Sequence, residues 1–271
     1  DTSPRVTLAA IEQAAEQSRL LEAAPSIDVV KGALWRSAVV EQPGYLAQGG
    51  RAAGIEVVLG AELADFEHDG QRLQALAVNG QRLPVDLVLL GIGAEPEVGL
   101  AQACGLACGQ GGISGVVVDA AMRSSDPAIL AIGDVTQFPV SPLWAPGGTR
   151  SRLESVQSAN AQARTAALTL QGQDPVYAAL PWFWSEQGAM RLQMAGLMPA
   201  PDTPGATRHR RPGASEASFS ILHYVSERLL CVESVNAPMD HVVSRKLMEA
   251  GKHPAPAVAC DPAVALKSLL G

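Results

Sequence analysis

The sequence predicts an α/β unit followed by an α+β unit built on an antiparallel sheet. Three observations carry that prediction. First, the apolar run Leu87-Val-Leu-Leu90 enters the loop Gly91-Ile-Gly93, and a second one, Ile129–Ile132, ends abruptly in Gly133-Asp134. A continuous apolar strand such as Leu87–Leu90 is expected to be buried in a parallel sheet. Second, an Ala- and Gln-rich helix candidate spans Leu153 to Leu170. Third, the composition changes after Gly172. There Leu192–Leu197, Ala217–Tyr224 and Arg228–Val235 read as antiparallel strands, closed by helices at Met239–Ala250 and Pro262–Leu270.

The remaining elements follow in chain order. Residues 8–24 read as a helix, because Leu8, Ile11, Ala15 and Leu21 recur at helical spacing and Pro25 stops the pattern. Ile27–Val30 is a short strand candidate. Residues 32–50 carry no clear pattern; a turn at Gln42-Pro43-Gly44 precedes a short helix ending near Gly54. Ile55–Leu59, Ala61–His68, Arg72–Val78 and Asp86–Gly91 are four strand-like runs of a meander, with Asp69-Gly70 and Asn79-Gly80 as hairpin turns. A short helix at Val98–Cys104 and strands at Gly115–Asp119 and Ile129–Ile132 come next. Residues 137–150 and 199–213 are Pro-rich loops. The expected domains are 1–94, 95–172 and 173–271.

Composition narrows the function classes. The 271 residues suffice for two modest domains, and 47% are hydrophobic. The formal charge of −7, without a long basic run, argues against a nucleic-acid partner. No apolar run reaches the roughly 18 residues of a spanning helix, so no membrane is expected. No signal peptide is visible, although a chain that begins at Asp1 is compatible with a trimmed start. Cys104 and Cys108 are spaced C-x-x-x-C, a redox or metal pair in one reading. With no C-x-x-C pair and no neighbouring histidines, the free thiols of a cytoplasmic protein are the better one.

Four segments carry chemistry. In Ser125-Asp126-Pro127-Ala-Ile129-Leu-Ala131-Ile-Gly133-Asp134, the glycine permits a tight turn and close backbone approach. The aspartate at the strand's C-terminal end can accept hydrogen bonds from sugar-like hydroxyls, and ligands of open α/β sheets bind at that end. Taken bare, this is an ordinary turn. Val85-Asp86-Leu-Val-Leu-Leu-Gly91-Ile-Gly93 reads as a buried strand and loop. Arg152-Leu-Glu154-Ser155-Val156-Gln157 opens the long helix, whose N-terminus carries roughly +0.5 charge and free N–H groups. It reads equally as a capped surface helix. Pro181-Trp182-Phe183-Trp184-Ser185-Glu186-Gln187 places three aromatics in a row in a chain with 4% aromatics; the alternative is a hydrophobic plug between domains.

Together and in order, these segments resemble the FAD-dependent pyridine nucleotide-disulfide oxidoreductase superfamily, in its ferredoxin/rubredoxin (putidaredoxin-type) reductase branch. The first resembles T-x-D-P-x-I-x-A-x-G-D, a serine standing where the motif has threonine, and Asp119 and Arg123 fit its V-V-D-x-x-x-R lead-in. The third resembles R-x-E-S-V-Q-N-A. The fourth resembles P-W-F-W-S-D-Q, with Glu186 in place of Asp. The resemblance covers about residues 51–271; residues 1–50 match weakly or not at all.

The resemblance implies a partial FAD/NAD(P)-binding domain followed by a C-terminal reductase domain, with FAD and NAD(P)H as cofactors. It implies that Asp134, with Gly133, meets the ribityl chain. Gly91 and Gly93 would pass close to the nicotinamide cofactor, the helix start at Glu154, Ser155 and Val156 would face the flavin edge, and Trp184 would contact the flavin. Hydride would pass from NAD(P)H to flavin without a protein base, and single electrons to a ferredoxin- or rubredoxin-type iron–sulfur protein. A homo-oligomer is compatible with it. The absence of a redox cysteine pair argues against a disulfide reductase.

One departure stands out. No G-x-G-x-x-G fingerprint follows a strand and opens a helix, and the family places a long stretch ahead of the equivalent of Ile55. Strands near Val117 and Ile129 are then expected to present unpaired edges. The alternative reading is a truncated, non-catalytic module that docks a redox partner or a complementary subunit.

Overall fold

Hairpin chemistry accounts for the first described element. The computed structural model describes residues 63–85, 95–109, 114–145, 149–187, 189–200 and 202–271. They fall into two compact units, 63–85 in one and the rest in the other. The expected elements of residues 8–59 and the strand Asp86–Gly91, with Gly91 and Gly93, lie outside the described residues.

In the first unit, β1 (Leu63–His68), β2 (Leu73–Val78) and β3 (Gln81–Pro84) form an antiparallel meander. The Asp69 carboxylate accepts the N–H groups of Gln71 and Arg72 and closes the first turn. Asn79 (φ 50°) and Gly80 (φ 73°) both take the left-handed conformation that a two-residue hairpin demands, so Val78 pairs directly with Gln81. The sequence reading missed β3. Its four residues are all exposed and end in proline, so no apolar alternation marks them.

The second unit begins with α1 (Gly99–Ala103) and a small sheet in the order β4 (Cys108–Gly109), β5 (Gly115–Val117), β6 (Thr136–Pro139), β7 (Arg150–Ser151). β5 and β6 are parallel; the other pairs are antiparallel. Two expectations are corrected here. The strand around Val117 has partners on both edges. Residues 129–132 form no strand; only a bridge between Arg123 and Leu130 is present, because the chain is turning through the loop that Asp119 organises. The paired strand comes after Gly133-Asp134, at β6, whose last three residues, with the first of β7, fall inside the expected loop 137–150.

The long helix, α2 (Val156–Leu170), starts three residues later than expected. Ser155 is extended (φ −154°, ψ 142°), and its Oγ accepts the N–H of Ser158, an N-cap. Past Gly172, five antiparallel strands form one sheet in the order β10 (Ala206–Pro212), β11 (Phe219–Val225), β12 (Arg228–Val235), β9 (Met190–Gly196), β8 (Trp182–Gln187). β10 lies in the second half of the expected loop 199–213. Its exposed Arg208 and Arg210 are the charged residues that edge strands carry. Gly196 lies at φ +83°, and a Cβ there would sit 1.9 Å from the Leu230 carbonyl oxygen, so only glycine fits.

α3 (Pro238–Glu249) packs on the sheet through Val243, Leu247 and Met248. The expected closing helix at 262–270 is instead a short α4 (Pro256–Ala259) and a 3-10 turn at Leu266–Leu270. Arg211 holds this tail. Its guanidinium donates to the carbonyls of Ala259, Asp261 and Val264 and pairs with Asp240. One apolar core joins both sides of Gly172. Val118, Met122, Phe138 and Leu153 share it with Leu222, Tyr224, Val232 and Leu247.

Candidate functional site

The Gly133-Asp134 turn is built from a buried polar chain. Gly133 lies at φ +80°, and its N–H donates to Gln162 Oε1 at 2.7 Å. Thr136 Oγ1 reaches the Gly133 carbonyl at 2.8 Å and the same Gln162 oxygen at 2.9 Å. Gln162 Nε2 donates to Ser158 Oγ at 3.2 Å, which in turn meets the Tyr177 hydroxyl at 3.1 Å. Gln162 and Ser158 are wholly buried. Burial pushes the Tyr177 phenol up, opposed by its bond to Ser158. A buried amide with its oxygen and nitrogen both bonded fixes the turn against one face of α2. The Asp134 side chain is exposed.

A second tie runs through Arg152, whose side chain is buried. Its guanidinium donates to the Asp134 carbonyl at 3.3 Å and to the Glu154 carboxylate at 2.5 Å. Gly115 makes room for it: a Cβ there would stand 3.3 Å from Arg152 Cδ and 2.7 Å from the Val135 carbonyl oxygen. Glu154 is therefore committed to Arg152. Ser155 caps α2, and Val156 at its first position is 68% exposed despite being apolar. The N–H groups of the first helical turn have no intrahelical acceptor, which makes this end electropositive.

Asp119 and Arg123, the lead-in pair, are structural. Asp119 Oδ1 accepts the N–H groups of Ala121 and Arg123, and Arg123 also bridges to Asp174. They shape the loop that delivers the chain to Gly133.

Trp184 lies on β8 and is 48% exposed. Its indole stacks on Trp182, with centroids 5.7 Å apart and planes at 30°. The Arg245 guanidinium lies 4.4 Å over the Trp182 ring, and His241 meets that ring edge-on at 6.0 Å. His241 is buried, and its pKa is pushed down to about 4, first by burial and then by Arg245 and Arg191. The Trp182 backbone N–H donates to Gln157 Oε1 at 3.4 Å, which ties the start of β8 to the first turn of α2.

The structure thus ties Gly133, Asp134, Glu154, Ser155 and Val156 to the first turns of α2. Trp184 is joined to them through Trp182 and Gln157. Gln162, Tyr177, His241 and Arg245 were not singled out from the sequence. A polar residue on the buried stripe of α2 was the available signal for Gln162; nothing local marks the other three. Among the described residues no His/Cys/Asp/Glu cluster is placed to hold a metal, and the four cysteines are free. No described helix is long and apolar enough to cross a membrane.

Comparison with known proteins places this geometry. Residues 8–163 match the pyridine nucleotide-disulphide oxidoreductase family, and residues 182–270 match the family described as reductase C-terminal. The first match takes in residues 8–50, which the motif resemblance does not cover. Rhodocoxin reductase of Rhodococcus erythropolis is 41% identical over 182 residues, covering 66% of this chain and 39% of its own. The crystal structure of a ferredoxin reductase from Rhodopseudomonas palustris superimposes with a TM-score of 0.69 at 36% identity, over 82% of this chain and 52% of that one. The covalent putidaredoxin reductase–putidaredoxin complex gives 0.69 at 33%, over 81% and 51%. The chain spans about half or less of the length of the first relatives it matches. With more than half of its residues inside the first family match and the second covering its antiparallel sheet, the chain belongs to the pyridine nucleotide-disulphide oxidoreductase family.

Proposed function

We propose that this chain serves an FAD-dependent NAD(P)H reductase of ferredoxin- or rubredoxin-type iron–sulfur proteins. One observation carries the reading: the Asp134 turn, the Glu154–Val156 helix start and the tryptophan strand are all tied to the same first turns of α2.

The donor set fits a flavin dinucleotide. Asp134 offers an exposed carboxylate, an acceptor for sugar-alcohol hydroxyls. The N-terminus of α2 offers N–H donors and positive potential, suited to the carbonyl edge of a ring that gains negative charge on reduction. Trp184 offers a flat, half-exposed indole. When bound, FAD supplies the hydride-accepting and one-electron chemistry. The protein's part is to hold, orient and shield. Gln162 and Arg152 keep Asp134 against α2, Ser155 keeps the helix start ordered, and Trp182 keeps the Trp184 ring in place.

Likeness to a reductase solved in covalent complex with putidaredoxin supports a ferredoxin-type partner. Free cysteines support a reducing, cytoplasmic setting. Family matches that end at 163 and begin at 182 support a boundary between domains of 95–172 and 173–271; residues 1–94 are the proposed domain ahead of them.

The test is flavin titration of the purified chain, followed by absorbance and by quenching of flavin fluorescence. Asp134→Asn is expected to weaken FAD binding roughly ten-fold, the weight of one hydrogen bond to a charged group, with an unchanged melting midpoint. A chain that retains no flavin absorbance after reconstitution overturns the reading for these 271 residues and leaves the docking module in its place.

A further inference from the structure

The stack on β8 has a keeper outside the strand. Trp182 and Trp184 lie on the same face of β8, two residues apart, where side chains repeat. Trp184 is half exposed, so solvent and not protein covers much of its ring. One neighbour is the Trp182 indole at 5.7 Å and 30°. Trp182 is held in turn by α3, with Arg245 4.4 Å over its ring and His241 at its edge. Arg245 lies one helical turn beyond His241. Its NH2 stands 3.7 Å from Glu249, one turn further on, which keeps the guanidinium from swinging into solvent.

We propose that Arg245 is a positioning residue: through its contact with the Trp182 ring it holds the Trp182–Trp184 stack and so sets the direction in which the exposed Trp184 indole faces. A cation over an indole face is attracted by the ring's negative face and loses most of that attraction when the charge is removed. His241 does not substitute for it. It meets the ring edge-on and is neutral at pH 7, since its pKa of about 4 lies well below that. Arg191, the other cation acting on His241, pairs with Glu186 at 3.3 Å. The charge that acts on Trp182 therefore comes from Arg245. The consequence for flavin orientation rests on the proposed flavin contact of Trp184; the geometry of the stack does not.

Two stacked indoles give an exciton couplet in circular dichroism, and this signal needs no flavin. Trp182→Phe and Trp184→Phe, each of which must abolish the couplet, assign it. In the full chain, Arg245→Gln is expected to lose at least half of its amplitude, Arg245→Lys to keep most of it, and Glu249→Gln to cause a smaller loss. An unchanged couplet in Arg245→Gln overturns the proposal. So does an equal loss in the lysine variant, which would make the contact one of shape and not of charge. Lysine also serves as the folding control: if Arg245→Gln melts early, retention in Arg245→Lys supports the proposal and loss there at a normal melting midpoint overturns it. Flavin titration of the same variants separates the two ideas. Loss of the couplet with unaltered FAD affinity supports Arg245 and removes the flavin role of Trp184.

Discussion

Asp134 and Trp184 are presented to solvent by different means. Beneath Asp134 lie polar groups, where a glycine N–H, an amide, two hydroxyls and a phenol run in sequence from the turn into α2. Beneath Trp184 lie rings and a guanidinium, on a sheet whose neighbouring residues Ala195 and Val232 have no exposed surface. Hydrogen bonds are directional, so the first region places a backbone turn with little tolerance for substitution. Packing is not directional, so the second region needs glycine, bulk and a charge at set places to reach one arrangement. The lesson is that the two halves should fail differently: one by misplacing a carboxylate, the other by losing the sheet.

The largest expected effect breaks the packed half. In Gly196→Ala the new Cβ would meet the Leu230 carbonyl at 1.9 Å in a left-handed backbone. Overpacking of that kind is expected to cost more than about 3 kcal/mol. Urea denaturation measures it, and a loss within about 0.5 kcal/mol would show that the strand shifts freely there.

The second effect is one of pH. His241 has a folded pKa of about 4 against 6.5 for the free side chain. Its depressed pKa means that the unfolded chain takes up the proton first. The stability it contributes is complete above about pH 6.5 and is lost as the pH falls toward 4, by up to about 3 kcal/mol. His253, lowered chiefly by burial and then by Arg228, acts in the same direction. His241→Gln should flatten the pH dependence of the urea midpoint between those limits; an unaltered slope would place the proton elsewhere.

The smallest effect on stability, and the most selective for function, breaks the polar half. Gln162→Leu leaves the Gly133 N–H and the hydroxyls of Thr136 and Ser158 short of a partner, at a cost of about 2 kcal/mol. FAD affinity should fall with it, whereas a packed-half variant of equal stability loss should keep its flavin. Equal flavin affinities in the two would erase the distinction between the regions.

Much of this was legible in particular residues. Asn79-Gly80 specified its hairpin, since both positions require positive φ, whereas the expected start of α2 at Leu153 ran past Ser155, the residue that caps it. The Gly133-Asp134 turn lay where the family motif put it. Other elements were hidden for physical reasons. β10 reads as a Pro/Arg-rich loop because it is an edge strand, with charges where alternation would otherwise appear. Ile129–Ile132 has the composition of a strand and the role of a connector, because the Asp119 carboxylate bonds to the N–H groups of Ala121 and Arg123 and turns the chain.

The sequence by itself determined the order of the parts: an α/β segment ending at a Gly-Asp turn, a long helix, then an antiparallel sheet from Leu192 onward; that the tryptophan run Trp182–Gln187 is itself a strand of that sheet came from the structure. The features read from the sequence are local, written in backbone preference and in short runs of side chains. Only the tertiary structure decided what holds them. Gln162 lies 29 positions from Gly133 and Tyr177 19 from Ser158, and Arg245 reaches Trp182 from another element altogether. A hydrogen bond or a cation–π contact across such separations leaves no periodicity in the chain. It exists only once the core has brought α2, β8 and α3 together.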